Sequence, residues 1–497
     1  MDLFLEVLFR LTEPDHLIFL VAGTFLGMTV GILPGRGGTT ALAIWLPFVA
    51  NFEPTQSLAL MIGVLAPTTT SDTFPAVLLG IPGTAGSQAT VLDGFPMSKQ
   101  GMASRALNAA FLSSLVGGVW GAIVLTFSIV FAKPIILAVG FGEQFLLIIL
   151  ALIMVGALTG ANIVKGIASC VIGLVIGAIG LAQITADPRL TFGTLYLSEG
   201  VPLVVVGMGL FAIPEIVALL QSKSSITGDT ELKNQWSLGF SDVVKNWFLV
   251  FRCSSIGVLV GALPGLGGTV VDWIAYSHLR QTARTNQDNI GKGDIRGVIA
   301  PESANNAKEG GALVPTLAFG IPGSAEMAVF LSVLVLHGMV PGPTIMTESL
   351  DIIWILIVAA AASGVIASII TISAASSIAK LTFVDSRTLV PIVLAFAMIG
   401  SYSLDNEIYD VFTTLGFGFV GFIFMRFGFP RIAFPLAIVL GPLMETSYFQ
   451  TLRIGDGTLS ILFDRPQSIV IMLLIVGCVA YYLKGFLGNT DTKETPV

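Results

Sequence analysis

Charge, cysteine and histidine are all scarce in this chain. Charged residues make up 11% of its 497 residues, whereas soluble domains contain roughly 25%. The three cysteines and three histidines lie apart from one another, without the Cys-x-x-Cys or His-Glu-x-x-His spacing of redox and metal sites. No polybasic tract is present, so nothing indicates nucleic-acid binding. These absences argue against a soluble domain, and we expect neither a cofactor nor a nucleic-acid partner.

Hydrophobic residues are correspondingly abundant. They make up 54% of the chain, and the mean hydropathy is +0.89. Apolar runs of about 17–25 residues recur from end to end, and such runs are long enough to cross the roughly 30 Å hydrocarbon core of a bilayer as helices. The composition therefore predicts an all-α polytopic membrane protein with about 10–12 membrane helices in a lipid bilayer.

Two helix-breaking motifs each occur twice. Gly31-Ile-Leu-Pro-Gly-Arg-Gly-Gly38 matches Gly261-Ala-Leu-Pro-Gly-Leu-Gly-Gly268, and Leu79-Gly-Ile-Pro-Gly-Thr84 matches Phe319-Gly-Ile-Pro-Gly-Ser324 at nearly the same spacing. Proline interrupts a helix, and glycine lets the backbone approach a ligand closely. Interrupted hydrophobic segments at corresponding positions of two halves are typical of a transporter binding site. The same glycines could also serve only as packing contacts or hinges.

The duplication predicts the organisation of the chain. We expect a first transmembrane repeat over 1–220, a cytoplasmic linker over 221–245 and a second repeat over 246–447. An additional membrane helix and a cytoplasmic tail follow over 448–497.

Loop charges predict that the two repeats have opposite orientations. Loop 51–57 has no basic residue, while its counterpart 278–308 has several; loop 93–105 has Lys99 and Arg105, while its counterpart 337–349 has none. Lysine and arginine favour cytoplasmic loops. The pattern therefore indicates inverted-topology repeats with broken helices or re-entrant hairpins, an external N-terminus and a cytoplasmic C-terminus.

The breaks and the polar residues near them form the predicted substrate site. Broken helices survive at membrane depth only where protein or a water-filled cavity shelters the backbone, and hydroxyl and amide groups can donate to a carboxylate. The candidate residues from the first half are Pro34, Gly35, Arg36, Gly37, Gly38, Thr39, Thr40, Thr69, Thr70, Gly83 and Thr84. Those from the second half are Pro264, Gly265, Gly267, Gly268, Thr269, Asn305, Asn306, Gly323 and Ser324.

Four of the polar residues are candidates for a coupling-ion site that would hold Na⁺, because hard cations prefer oxygen ligands. They are Ser71, Asp72, Glu302 and Asn305. Charged residues at membrane depth are functional candidates, but Glu302, Lys308 and Glu309 could instead belong to loop 278–308. Arg36 could bind a substrate carboxylate. It could equally extend to the membrane interface or neutralise a nearby acidic residue.

Several motifs together resemble the large permease subunit of the tripartite tricarboxylate transporters, the TctA family. They are the paired Gly-x-Leu-Pro-Gly-x-Gly-Gly and Gly-Ile-Pro-Gly motifs, residues 186–193, 209–215 and 305–311, and Leu440-Gly-Pro-Leu-Met-Glu445. The resemblance covers nearly the whole chain. Where the family usually has leucine in the first glycine motif, this chain has Arg36.

The resemblance implies a multi-pass permease of the bacterial inner membrane that imports tricarboxylates or related carboxylates by symport with Na⁺ or H⁺. In that membrane, the external N-terminus that the loop charges predict would be periplasmic. The resemblance also implies two partners, a small membrane subunit (TctB-like) and a periplasmic substrate-binding protein (TctC-like). The alternatives are an intramembrane enzyme acting on a lipid-linked substrate and a passive channel. Since no catalytic motif is present and the polar centres are duplicated, we expect no enzymatic activity.

Overall fold

The chain is almost entirely helical. A computed structural model describes residues 2–33, 37–137, 139–158, 163–182, 184–214, 217, 235–263, 268, 270–381, 394–395, 398–399, 401–402, 406–431 and 433–488. Within these ranges the strands are two residues long: β1 (Gly180–Leu181) pairs antiparallel with β2 (Pro188–Arg189), with Gly180 opposite Arg189. The predicted all-α fold class is therefore confirmed.

The helices of the first half begin near the N-terminus and include one 3₁₀ and one π-helical turn. They are α1 (Asp2–Thr12), α2 (Pro14–Gly31), α3 (Gly38–Val49), α4 (Pro54–Ser71), α5 (Thr73–Leu79), a 3₁₀ turn (Ala85–Ser87), α6 (Gln88–Lys99), α7 (Ala103–Leu137), α8 (Phe141–Leu158), α9 (Ile163–Gly177), α10 (Leu195–Ser198), α11 (Leu203–Gly207) and a π-helical turn (Met208–Ala212).

The described helices of the second half begin inside the predicted linker. They are α12 (Trp236–Lys245), α13 (Trp247–Gly261), α14 (Val271–Thr282), a 3₁₀ turn (Gln287–Asn289), α15 (Arg296–Phe319), α16 (Ala325–Leu336), α17 (Pro343–Glu348), α18 (Leu350–Leu381), α19 (Ile408–Phe427), α20 (Ala433–Ile454), α21 (Ile461–Asp464) and α22 (Pro466–Gly488).

Several of these helices are long and apolar enough to cross a membrane. Four described segments meet that description: Pro14–Gly31, Ala103–Phe131, Leu350–Ala375 and Ile408–Phe427. A fifth candidate is the pair α12 and α13, which bend by 75° at their junction and so form either a broken span or a re-entrant loop. The protein is therefore a multi-pass membrane protein, and the number of about 10–12 membrane helices stays a prediction.

Helices α2 and α4 cross closely, and so do α13 and α15. A Cβ on Gly27 would lie 2.2 Å from the carbonyl oxygen of Val64, and a Cβ on Gly257 would lie 2.4 Å from that of Ala304. Because only glycine lacks a Cβ, each pair of backbones meets without a side chain between them. Successive glycines of α2 approach successive positions of α4 in the same order, and the same holds for α13 and α15. The two halves thus contain the same kind of close crossing between parallel helices.

Part of the expected loop 278–308 is helical instead. The described structure has a shorter connection between α14 and α15, and α15 begins at Arg296. Every residue of α15 from 297 to 313 is buried, and α15 packs against α6, α7, α13 and α14. A polar sequence can form this interior helix because its carboxylate and amide groups find partners on the surrounding helices.

Candidate functional site

The two Gly-Ile-Pro-Gly motifs form turns with the same backbone geometry. Helix α5 ends at Gly80, where φ is 71°, and α15 ends at Gly320, where φ is 68°. The amide of the following isoleucine then bonds back into the helix in both cases, from Ile81 to Pro75 O at 3.3 Å and from Ile321 to Pro315 O at 3.2 Å. A left-handed residue at a helix end favours glycine. Both motifs therefore end a helix, as predicted.

Thr84, directly after the first turn, connects that turn to Asp72. Its hydroxyl accepts a hydrogen bond from the amide of Gly86 at 3.1 Å and donates to Oδ2 of Asp72. A Cβ on Gly83 would lie 2.6 Å from the Asp72 backbone, so this turn must pack closely on the junction of α4 and α5. At the second turn, Ser324 caps α16 by accepting from the amide of Met327 at 3.3 Å.

Asn305 and Asn306 of α15 reach the same junction from the second half. Nδ2 of Asn305 donates to Thr69 O at 3.3 Å and to Asp72 Oδ2 at 3.4 Å. Nδ2 of Asn306 donates to the Thr70 hydroxyl at 2.7 Å. The sequence predicted all of these residues as site residues, and the structure brings them together. We call this group the Asp72 cluster: Thr69, Thr70, Asp72, Thr84, Asn305 and Asn306.

The Asp72 cluster has spare oxygen atoms. Three buried oxygen atoms have no hydrogen-bond partner among the described residues: the Oδ1 atoms of Asp72, Asn305 and Asn306. The side chains of Asp72 and Asn305 are fully buried. A buried acceptor without a partner is costly, so such groups usually have an additional ligand. Carboxylate, amide, hydroxyl and carbonyl oxygens are suitable ligands for a hard cation such as Na⁺.

A site with several carboxylate or imidazole ligands is not found in the described structure. No group of three or more histidine, cysteine, aspartate and glutamate side chains there is arranged to hold a metal ion. A cation bound at the Asp72 cluster would therefore meet one carboxylate, with neutral oxygens for its other ligands. That set resembles the coupling-ion sites of transporters, where unwound backbone and neutral oxygens share the coordination.

Glu302 lies near the Asp72 cluster and interacts electrostatically with Asp72, but both of its carboxylate oxygens have hydrogen-bond partners. Its Oε1 accepts from the Thr90 hydroxyl at 2.7 Å. Its Oε2 accepts from Thr73 at 2.8 Å and from Ser114 at 3.2 Å. The hydroxyl of Ser71, another predicted coupling-ion residue, bonds to Pro67 O of its own helix at 3.0 Å. The geometry thus gives Glu302 and Ser71 local partners, while Asp72 and Asn305 keep free oxygens.

Glu326, at the start of α16, touches both glycine motifs. The Thr39 hydroxyl donates to its Oε1 at 3.4 Å, and a Cβ on Gly38 would lie 3.0 Å from its Cγ. A Cβ on Gly268, in the second motif, would lie 3.4 Å from its Oε2. We call Gly38, Thr39, Gly268 and Glu326 the Glu326 cluster. The two motifs are far apart in the sequence, and this contact brings them to one place.

Lys308 and Glu309 lie between the two clusters. The Lys308 ammonium donates to Oε1 of Glu309 and also interacts electrostatically with Glu326 and Asp72. Both side chains are buried, and Oε2 of Glu309 has no partner in the described structure. The two residues therefore belong to the interior of the protein and not to a loop.

Some predicted site residues cannot be placed. Seven lie outside the described residues: Pro34, Gly35, Arg36, Pro264, Gly265, Gly267 and Thr269. Among the others, Gly37 ends the connection before α3, Thr40 is buried in the first turn of α3, and Gly323 packs against Gly261 O, where an added Cβ would lie at 2.6 Å.

Sequence reasoning missed Glu326 as a site residue. The available signal was an acidic residue in the first turn of an otherwise apolar helix, because charge in such segments is functional by default. Thr73, Thr90 and Ser114 gave no comparable signal, since hydroxyl residues are common in membrane helices.

Comparison with known proteins yields one family. Residues 17–436 match the "Tripartite tricarboxylate transporter TctA family". The "Uncharacterized 52.8 kDa protein in TAR-I ttuC' 3'region" of Agrobacterium vitis is 30% identical over 471 residues, which cover 95% of this chain and 93% of that protein. The "Uncharacterized protein in TAR-II ttuC' 3'region" of the same organism is 30% identical over 223 residues, 45% of this chain and 92% of that protein. No solved structure matches the chain.

Proposed function

Because the chain belongs to the tripartite tricarboxylate transporter TctA family, we propose that it is the large permease subunit of a binding-protein-dependent secondary transporter. It imports tricarboxylates or related carboxylates across the bacterial inner membrane by symport with Na⁺ or H⁺. Its partners are a small membrane subunit of the TctB type and a periplasmic substrate-binding protein of the TctC type. It is not an enzyme.

One observation carries the coupling to a cation. Oδ1 of Asp72 and Oδ1 of Asn305 are buried and have no hydrogen-bond partner in the part of the chain that the structure describes, where α4 of the first half meets α15 of the second. A cation there would bind oxygens from both halves, so its affinity would depend on how the halves are arranged. A ligand that binds two arrangements with different affinity shifts the equilibrium between them, which is what coupled transport requires.

The substrate site lies at the Glu326 cluster and extends toward the Asp72 cluster. The side chains of Thr39 and Glu326 are partly exposed, whereas Lys308 next to them is buried. An anion entering there would meet hydroxyl groups and glycine backbone from both motifs. Broken helices expose backbone amides that bind carboxylates in transporters.

The two repeats have inverted orientations, with linker 221–245 and loops 93–105 and 278–308 on the cytoplasmic side. Contacts between these segments support this topology. Arg105 forms a two-pronged ion pair with Asp242 of α12, at 2.6 and 3.0 Å. Gln100 donates to Lys292 O at 3.1 Å. Segments that the loop charges assign to one side are therefore neighbours in space.

The segments assigned to the other side are also neighbours. The hydroxyl of Tyr196 donates to Asp410 at 2.8 Å, and His16 bonds to Thr55 at 2.9 Å. A cavity of about 640 Å³ is lined by residues 176–182, 198–201 and 338–341, among others. These contacts support a periplasmic face that contains the start of α2 and the hairpin of β1 and β2.

The topology can be tested with single cysteines in a variant lacking Cys170, Cys253 and Cys478. We expect a membrane-impermeant maleimide added to intact cells to label Asp187→Cys and not Asp288→Cys, and to label both after the membrane is permeabilised. Labelling of Asp288→Cys in intact cells would contradict the topology.

Transport can be tested in proteoliposomes that contain the permease and both partners. We expect accumulation of radiolabelled citrate or a related carboxylate only when an inward Na⁺ or H⁺ gradient is imposed. Equilibration without a gradient would indicate a channel, and chemical conversion of a lipid-linked substrate would indicate an enzyme.

The coupling residue can be tested in the same vesicles. We expect Asp72→Asn to abolish gradient-driven accumulation, because it removes the one carboxylate of the Asp72 cluster. Asp288→Asn, in an exposed loop, is the matched control and should accumulate substrate like the wild type. Accumulation by Asp72→Asn at the wild-type rate would overturn the assignment.

A further inference from the structure

Lys308 is the one lysine or arginine in the described part of the chain whose side chain is buried, with 3% of its surface exposed. A buried ammonium needs anionic partners, because removing it from water is costly. Its hydrogen-bond partner among the described residues is Oε1 of Glu309. Since an ammonium has three N–H donors, Lys308 retains donor capacity beyond this bond.

The surroundings of Lys308 contain more negative than positive charge. Glu309, Glu326, Asp72 and Asp272 all interact electrostatically with the ammonium, so four described carboxylates act on one described cation. Two of these carboxylate oxygens are buried and have no hydrogen-bond partner among the described residues: Oε2 of Glu309 and Oε2 of Glu326. Glu309 therefore contacts Lys308 through one oxygen, and a second carboxylate could compete for the same ammonium.

The position of Lys308 is set by the glycine motifs. A Cβ on Gly261 would lie 2.3 Å from the carbonyl oxygen of Lys308, so α13 passes directly over this residue as it approaches the second glycine motif. Glu326, which interacts with Lys308, touches both motifs. Lys308 thus lies where the two halves meet, beneath the partly exposed residues Thr39, Gly268 and Glu326.

We propose that the ammonium of Lys308 binds a carboxylate group of the transported anion, and that Glu309 occupies it when substrate is absent. This role rests on the proposed transport function. An anion in a low-dielectric interior needs a cation beside it, and Lys308 supplies one at the junction of the halves. Because the surrounding carboxylates outnumber it, the anion binds well only when a symported cation offsets part of their charge.

The test separates substrate binding from simple neutralisation of Glu309. Lys308→Met leaves the Glu309 carboxylate buried without its partner, so this variant should be unstable whichever role is correct. The double variant Lys308→Met/Glu309→Gln removes both charges and should regain thermal stability. We expect it to transport citrate in the three-component proteoliposomes with a KM about 10- to 100-fold higher, as for a lost hydrogen bond to a charged group.

Two further variants complete the comparison. Glu309→Gln alone removes the resting competitor, so we expect KM for citrate to fall. Lys292→Met, in the exposed loop between α14 and α15, is the control and should leave KM unchanged.

The outcomes are distinguishable from failure of the proposed function. Wild-type vesicles that take up no carboxylate would overturn both proposals. Wild-type uptake together with an unchanged KM in the double variant would overturn the role of Lys308 alone. If the double variant does not fold, a KM for citrate in Glu309→Gln that is unchanged or raised would likewise overturn the role of Lys308.

Discussion

The side-chain nitrogen Nδ2 of Asn305 lies 3.4 Å from Oδ2 of Asp72, a residue 233 positions earlier in the chain. The same nitrogen is 3.3 Å from the carbonyl oxygen of Thr69. Asn305 therefore uses its donor to fix the end of α4 and turns its own oxygen, which has no partner among the described residues, toward Gly86. One side chain thus joins the two halves and orients an acceptor that could bind a cation.

Gly86→Ala should disturb this arrangement without changing a polar group. The added Cβ would lie 2.1 Å from Oδ1 of Asn305, so the amide would have to move away from Asp72. We expect gradient-driven carboxylate uptake to fall by at least about tenfold, as for the loss of one hydrogen bond to a charged group. The measurement is initial uptake in proteoliposomes at matched protein levels.

Gly364→Ala is the control for this change. Gly364 lies in α18, and an added Cβ there would meet nothing within 4 Å, so uptake should stay at the wild-type level. If Gly86→Ala transported carboxylate as fast as this control, the position of the Asn305 side chain would not matter for transport.

The repeated motifs allowed much of this site to be predicted. Proline alone does not mark a break, because Pro67, Pro301 and Pro315 lie inside helices. The turns at Gly80 and Gly320 could be predicted because the combined glycine and proline motif occurs twice in apolar sequence. The polar residues between the breaks, Asp72, Asn305 and Asn306, could be identified because a buried amide or carboxylate in a membrane segment needs a partner.

Other features of the site depend on contacts between segments that are distant in the chain. A single sequence gives no information on which distant segments are in contact. Residues 296–308 are rich in charge and amide groups, which usually indicate a loop, yet they begin the buried helix α15. The polar residues of this helix find their partners on α4, α5, α6 and α7, which are distant in the sequence. Likewise, the contact of Glu326 with both glycine motifs arises from packing, which hydrophobic periodicity does not report.

Glu302 should be important for folding more than for coupling. Both oxygens accept hydrogen bonds, from Thr90, Thr73 and Ser114. Glu302→Ala would leave these buried hydroxyls without their acceptor, and we expect a loss of about 3 kcal/mol or more in unfolding free energy. Glu302→Gln keeps an acceptor and should lose less. Thermal unfolding of the purified protein in detergent measures both.

Transport by the stable variant then tests the functional part of this prediction. Glu302→Gln should retain uptake driven by a cation gradient, in contrast to Asp72→Asn. Loss of the gradient dependence in a folded Glu302→Gln protein would instead place Glu302 among the coupling residues.

The crossing of α13 and α15 should tolerate no side chain at Gly257. An added Cβ would lie 2.4 Å from the carbonyl oxygen of Ala304, and two backbones cannot give way as a flexible side chain can. We expect Gly257→Ala to destabilise the protein by about 1–3 kcal/mol, the typical cost of overpacking. Gly416→Ala, in α19, meets nothing within 4 Å and should be neutral in the same thermal unfolding experiment. Equal unfolding midpoints for the two variants would mean that α13 and α15 are not tightly packed at this crossing.

Asp93 should hold the loop between α14 and α15 in place. Its carboxylate accepts from the amides of Gly291, Gly293 and Asp294 at 2.7 to 3.0 Å and from the Tyr276 hydroxyl at 2.8 Å. Asp93→Ala would leave these donors without an acceptor, at a cost of about 3 kcal/mol or more.

The loop should then open more often, which limited proteolysis can detect because Arg284 and Lys292 are exposed trypsin sites within it. We expect cleavage there to be markedly faster in Asp93→Ala than in the wild type, because local unfolding exposes more backbone to the protease. Asp288→Asn, an exposed change in the same loop, should leave the rate unchanged. If Asp93→Ala were cleaved no faster than Asp288→Asn, the loop would be held by its other contacts, such as the Arg296–Asp294 ion pair at 2.6 Å.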